Sequence, residues 1–308
     1  MTDVESTGDV VLRRAPRLLP ALGRGVLNGI GKRPRPDAVL PATRLVLPAA
    51  RIDPARVAAY ARLCGFPPAG PLPVSYPHIL GFPLAVRLRG SRAFPLPVAG
   101  LVHTAVEVEQ RAALDVTDVL ELSVYGEELR AHRRGTEVVM VTEARRAGRL
   151  VWVDRSTYLA RHRTAAGAGG PDPAEPPADD AAGPAPRPRE WRLPADLGRR
   201  HAAVSGDHNP IHLHPLAAQP LGFPRALAHG MWTFARCAAE AVPPGAAPVR
   251  LTAAFRAPVL LPATVTYTRR DAPDGTGSTF QLRGGPAAGR PAGRVHLYGT
   301  ATYGTATR

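Results

Sequence analysis

The sequence predicts an α+β fold in which two antiparallel sheets each wrap around a long central helix, with a Pro/Ala/Gly-rich linker between them. Three observations lead there. An apolar segment of helical length is followed by runs of alternating β-branched and polar residues. The same order returns later in the chain. Between the two copies lies a tract with almost nothing to bury.

Taken in order, residues 10–36 (VVLRRAPRLLPALGRGVLNGIGKRPRP) alternate apolar residues and Arg between Gly and Pro breaks. Leu18, Leu19, Leu22 and Val26 fall at helical spacing and are expected to pack this leader on its own protein. A basic amphipathic contact with a membrane surface is the other reading. ATRLVLPAARI then reads as a strand, and DPARVAAYARLCG as a helix with Asp53 as N-cap, Pro54 in the first turn and Gly65 as its stop. SYPHILGFPLAVRLRG is long and apolar enough for a buried helix despite Gly81 and Pro83. Three or four strand-like runs follow between Leu101 and Tyr158.

Residues 164–188 are dense in Ala, Gly, Pro and Asp and read as a flexible linker. Beyond it, Leu197 to Val204 reads as a short helix and Arg225 to Val242 as a second long apolar helix. Strands are expected at VRLTAAFRAPV, ATVTYTRR, STFQLRG and GRVHLYGTATY. His78 near the start of the first long helix matches His229 near the start of the second. The expected organisation is therefore a basic leader at 1–38, an N-terminal unit at 39–163, the linker, and a C-terminal unit at 189–308.

Composition narrows the function classes. The hydrophobic fraction of 44% supports a sizeable core, and 39 Lys and Arg against 25 Asp and Glu give a net charge of +14. That field suits an anionic partner, such as the phosphates of a coenzyme-type substrate. No aromatic-interleaved basic stripe or recognised module points to nucleic acid. The two cysteines, Cys64 and Cys237, lie far apart and suggest neither disulfide nor zinc ribbon. No apolar stretch has the length of a membrane span, and the acidic N-terminus MTDVEST is unlike a signal peptide. A cytoplasmic protein is expected.

The chemistry is concentrated in HAAVSGDHNPIHLHPLAA, residues 201–218. Asp207, His208, Asn209, His212 and His214 crowd a segment bent by Gly206 and Pro210. An Asp/Asn turn with solvent-facing histidines is one reading. A metal site is another, but no strong ligand spacing such as HExxH supports it. The residues make better sense as an acid-base pair. Adding water to an α,β-unsaturated thioester needs a group that takes a proton from water and a proton source for Cα, which a carboxylate and an imidazole supply near neutral pH. Enolate charge on the thioester oxygen needs a donor, and the Gly230 N–H at a helix start is placed to be one.

SGDHNPIH, then HPLAA, then GFPRALAHGMWTFARC, resembles the MaoC-like dehydratase family, also called hydratase 2, whose hallmark is a [ST]GDxNPxH segment followed by an AHGM helix start. The resemblance implies a double-hotdog fold and (R)-specific hydration of trans-2-enoyl thioesters, or dehydration of (3R)-hydroxyacyl thioesters, carried on CoA or acyl-carrier protein. It implies Asp207 and His212 as the dyad that activates water, with Asn209 supporting the loop and the Gly230 N–H as oxyanion donor. Ser205, Gly206, Pro210 and His229 would border the substrate. No metal or other cofactor is implied, and a homodimer is compatible. The chain departs from the family pattern at His201 and His214, which receive no catalytic role. The first half lacks the motif, so one active site per chain is expected, with the N-terminal half shaping the acyl pocket. A thioesterase of the same fold, or a non-catalytic acyl-thioester-binding subunit, are the competing expectations.

Overall fold

A computed structural model describes residues 8–34, 38–98, 100–164, 188–219, 222–285 and 293–304. Most of the expected linker, with parts of the leader, lies outside them. In chain order the elements are β1 (Gly8–Val11), α1 (Leu18–Gly29), β2 (Thr43–Ala50), α2 (Pro54–Cys64), α3 (Tyr76–Arg89), β3 (Leu101–Gln110), β4 (Leu120–His132), β5 (Gly135–Arg146) and β6 (Arg149–Arg161). Then come β7 (Arg189–Leu193), α4 (Leu197–Ser205), α5 (Pro210–Leu213), α6 (Pro215–Ala218), α7 (Gly230–Ala241), β8 (Val249–Phe255), β9 (Ala263–Asp271), β10 (Gly277–Gly284) and β11 (Val295–Tyr303).

The chain forms two compact units, one from Met1–Ile52, Tyr76–Val106 and Thr117–Pro173, the other from Asp53–Ser75, Glu107–Val116 and Ala174–Arg308. In the first unit the strand order β1-β2-β4-β5-β6-β3 is antiparallel throughout β2-β4-β5-β6, and α3 packs on β2, β4 and β5. The helix has no single apolar stripe. Tyr76, Ile79, Leu84, Val86 and Leu88 are buried on several sides, as a helix enclosed by a curved sheet requires. Gly81 lets it approach closely, since a Cβ there would lie 2.5 Å from Thr142 Cγ2. Polar groups near its start are matched: His78 Nδ1 bonds Asp154 Oδ2, and the Ser156 hydroxyl donates to Asp154 Oδ1 at 2.7 Å.

The second unit repeats the plan with strand order β8-β11-β10-β9-β7, antiparallel, and α7 against β8, β10 and β11. Phe234, Ala235, Cys237, Ala238 and Ala241 are fully enclosed. Truncating a ring such as Phe234 would cost about 3–5 kcal/mol.

Two segments of the N-terminal half, Asp53–Ser75 and Glu107–Val116, belong to this second unit. Helix α2 starts as expected, with Asp53 Oδ1 accepting the Ala55 and Arg56 N–H groups, and stops at Gly65 with φ +83. The Trp232 indole N–H donates to the Leu63 carbonyl at 3.1 Å, and the Arg56 Nε–H to the Val204 carbonyl at 2.7 Å. A Cβ on Gly65 would meet the Arg236 guanidinium at 2.5 Å, so glycine answers both the left-handed backbone and the close contact.

Two sequence expectations change. The second long helix begins at Gly230 rather than Arg225, because residues 226–228 are extended and their backbone is used sideways. Leu227 N–H donates to Ile211 O at 3.0 Å, Ala228 N–H to Val259 O at 2.9 Å, and Leu261 N–H to Ala226 O at 2.8 Å. In α1, Leu18 and Leu22 are partly covered as expected, but Leu19 and Val26 are exposed. The short β1 and β7 carry no distinct pattern in the sequence.

Candidate active site

The site is assembled on the α4–α5 turn and the start of α7. Helix α4 ends at Gly206, whose φ of +83 turns the chain in the left-handed conformation. The Ser205 hydroxyl, buried behind this turn, accepts the Asp207 N–H at 3.1 Å and lies 3.3 Å from His201 Nδ1. Asp207 Oδ1 then accepts the Asn209 N–H at 3.1 Å, and Asn209 Oδ1 accepts the Ile211 N–H as the cap of α5. Pro210 opens α5 where its missing N–H costs nothing. One oxygen of Asp207 is thus held by the turn, and Oδ2 lies 3.8 Å from His229 Nε2, on a side chain 29% exposed.

His212 is carried by α5. Its Nδ1 lies 2.9 Å from the Leu227 carbonyl, and since a carbonyl only accepts, Nδ1 bears the proton and Nε2 the lone pair. Burial lowers its pKa below the usual histidine value, against the opposing pull of Asp207 and of the Leu227 carbonyl. The lowered pKa favours the neutral ring over the imidazolium.

His229 caps α7 and is 2% exposed. Its Nε2–H donates to the Asp207 backbone carbonyl at 2.9 Å, while Nε2 stays 3.8 Å from Asp207 Oδ2. The ring stacks on His212 with centroids 3.7 Å apart, and the His201 ring, tilted by 50°, has its centroid 4.5 Å away. Its Nδ1 is buried without a hydrogen-bond partner, so a second proton there would have no acceptor. Burial, then the His212 charge, pull its pKa down to about 3.

The fold brings Asp207, Asn209, His212 and His229 close together. Gly230 follows directly as the first residue of α7, where its N–H has no acceptor within the helix and lies at the positive end of the dipole. His214 caps α6 by accepting the Leu216 N–H at 3.2 Å, a turn-forming use of its ring. Sequence reasoning missed Gly198. A Cβ there would lie 1.9 Å from the His212 carbonyl oxygen, so α4 and α5 meet at a spot where only glycine fits. A glycine inside a helical pattern was the available signal.

Ligand-type atoms of Asp207, His212 and His229 lie within 4.8 Å of one another. As a metal centre the set is already partly committed, because His212 Nδ1 and His229 Nε2 are given to carbonyls.

Residues 181–270 match the family model described as MaoC like domain. The 3-hydroxyacyl-thioester dehydratase X of Mycobacterium tuberculosis is 39% identical over 251 residues, which span 81% of this chain and 87% of that protein. The crystal structure of HtdX from Mycobacterium tuberculosis matches with a TM-score of 0.67 at 34% identity, over 84% of this chain and 98% of that one. A MaoC-like dehydratase from Phytophthora capsici shares the fold, with a TM-score of 0.65 at 17% identity over 88% of this chain and 99% of that one.

Proposed function

Because the chain belongs to the MaoC-like dehydratase family, we propose that it is a hydro-lyase that adds water to trans-2-enoyl thioesters, and removes it from (3R)-hydroxyacyl thioesters, through Asp207 and His212. The observation that carries the reading is that Asp207, fixed through Oδ1 by the Asn209 N–H, has a carboxylate oxygen within 4.8 Å of a ring nitrogen of His212, whose Nδ1 is fixed by the Leu227 carbonyl. A water held between Oδ2 and Nε2 loses a proton to the dyad as its oxygen bonds Cβ. Electron density moves to the thioester oxygen, where the Gly230 N–H accommodates the charge. The dyad then returns a proton to Cα, and the step balances with one O–H and the Cα=Cβ π bond broken and one C–O and one C–H formed.

Within this reading Asn209 and Ser205 set the turn that aims Asp207, Gly206 and Pro210 shape it, and His229 holds it from behind. The C-terminal half carries the chemistry, while the N-terminal half contributes Asp53–Ser75 and Glu107–Val116 to the catalytic unit. The substrate is a thioester of CoA or acyl-carrier protein, whose phosphates suit the basic chain. No helix among the described residues is long and apolar enough to cross a membrane. A cytoplasmic homodimer completes the proposal. Chiral analysis of the product from crotonyl-CoA tests the stereochemistry: (3R)-hydroxybutyryl-CoA is expected, and the (3S) product or release of free CoA thiol would refute it.

A further inference from the structure

We propose that α1 and the basic segment around it form a docking surface for an anionic lipid bilayer. The helix is fixed to its own unit on one face. Gly25 crosses Gly90 so closely that a Cβ would lie 3.2 Å from the Gly90 Cα, and the Asn28 amide donates to the Gly90 carbonyl at 2.9 Å. The Lys32 ammonium donates to the Ser91 and Phe94 carbonyls at 2.7 and 2.6 Å.

The opposite face is apolar and open. Leu19, Val26, Leu27 and Ile30 are 69%, 54%, 68% and 76% exposed, and their i, i+7, i+8, i+11 spacing puts them on one stripe. Solvent alone gives such a stripe no stabilisation. Arg13, Arg14, Arg17, Arg24 and Arg33 are exposed around it. Between Val10 and Pro36 the sequence has seven basic residues and no acidic one. A stripe of aliphatic side chains flanked by guanidinium groups matches the acyl boundary and phosphates of an anionic leaflet. At 12 residues the helix can lie in that interface and cannot span it.

Self-association fits less well, because a two-fold contact would lay this patch on itself and bring like charges together. Nucleic acid would use the arginines and leave the leucines without a role.

The test is flotation of the full-length protein with vesicles of phosphatidylcholine alone or mixed with phosphatidylglycerol, alongside Leu27→Asp and an Arg17→Ser/Arg24→Ser double variant. Circular dichroism melting checks that each variant folds. Wild type should float with phosphatidylglycerol vesicles, release as salt rises, and ignore phosphatidylcholine. Each variant should bind about 10-fold less or worse. Absence of wild-type binding, equal binding to both vesicles, or undiminished binding by folded variants would overturn the proposal. So would a dimer in solution that Leu27→Asp dissociates.

Discussion

The His229 imidazole donates through Nε2 to the backbone carbonyl of Asp207 at 2.9 Å, tying the start of α7 to the turn that carries the acid. On the proposed mechanism His229 is a positioning residue. His229→Phe keeps the ring packing and loses the bond. It should lower kcat about 10- to 100-fold with a smaller change in KM. His229→Gln, which can still donate to the carbonyl, should recover part of the loss. Equal rates in both variants and wild type would remove this role.

The same ring sets a pH dependence of stability. The folded protein keeps His229 neutral down to about 3, while the unfolded chain protonates it near 6.5, so the folded state binds fewer protons in between. Stability should therefore fall with pH from 6.5 towards 3, by up to about 1.4 kcal/mol per pH unit from this group. Urea unfolding of wild type and His229→Phe at pH 7.5 and 5.5 measures it. The variant should lose less stability over that interval than wild type.

Gly198 supports the site from α4. Gly198→Ala would drive a Cβ into the His212 carbonyl, and backbone rather than a flexible side chain would have to move. Activity should fall at least about 10-fold by displacement of His212, with a lowered melting temperature. The exposed Ala203→Ser on the same helix should change neither.

Activity also carries a pH signature. Since burial lowers the His212 pKa, its base form persists below the ordinary histidine value. The acid limb of kcat/KM for hydration should lie below pH 6.5, the rate being full above it and lost as pH falls through it. A limb centred above 6.5 would contradict a buried neutral base.

Much of this was legible in the sequence because it is local. Asp53 and Gly65 bound α2 through cap and left-handed turn, and in SGDHNPIH the Ser205, Asp207 and Asn209 side chains each accept a backbone N–H two positions on. What was not legible depends on distant partners. The extended backbone at 226–228 exists because Ile211 and the 259–261 segment accept and donate to it, although its composition is that of a helix. Gly198 matters only because His212 arrives opposite. The exposure of Leu19 and Val26 follows from which face of α1 meets Gly90, which periodicity alone does not decide.

The central claim is that Asp207 and His212 act together on one water, and it is tested most directly by kcat/KM for crotonyl-CoA hydration in Asp207→Asn, His212→Ala and the double variant. Each single change should cost roughly 100- to 10,000-fold with the fold intact, and the double variant should be little worse than either. Wild-type-like hydration by a folded single variant, or losses that multiply in the double variant, would contradict it.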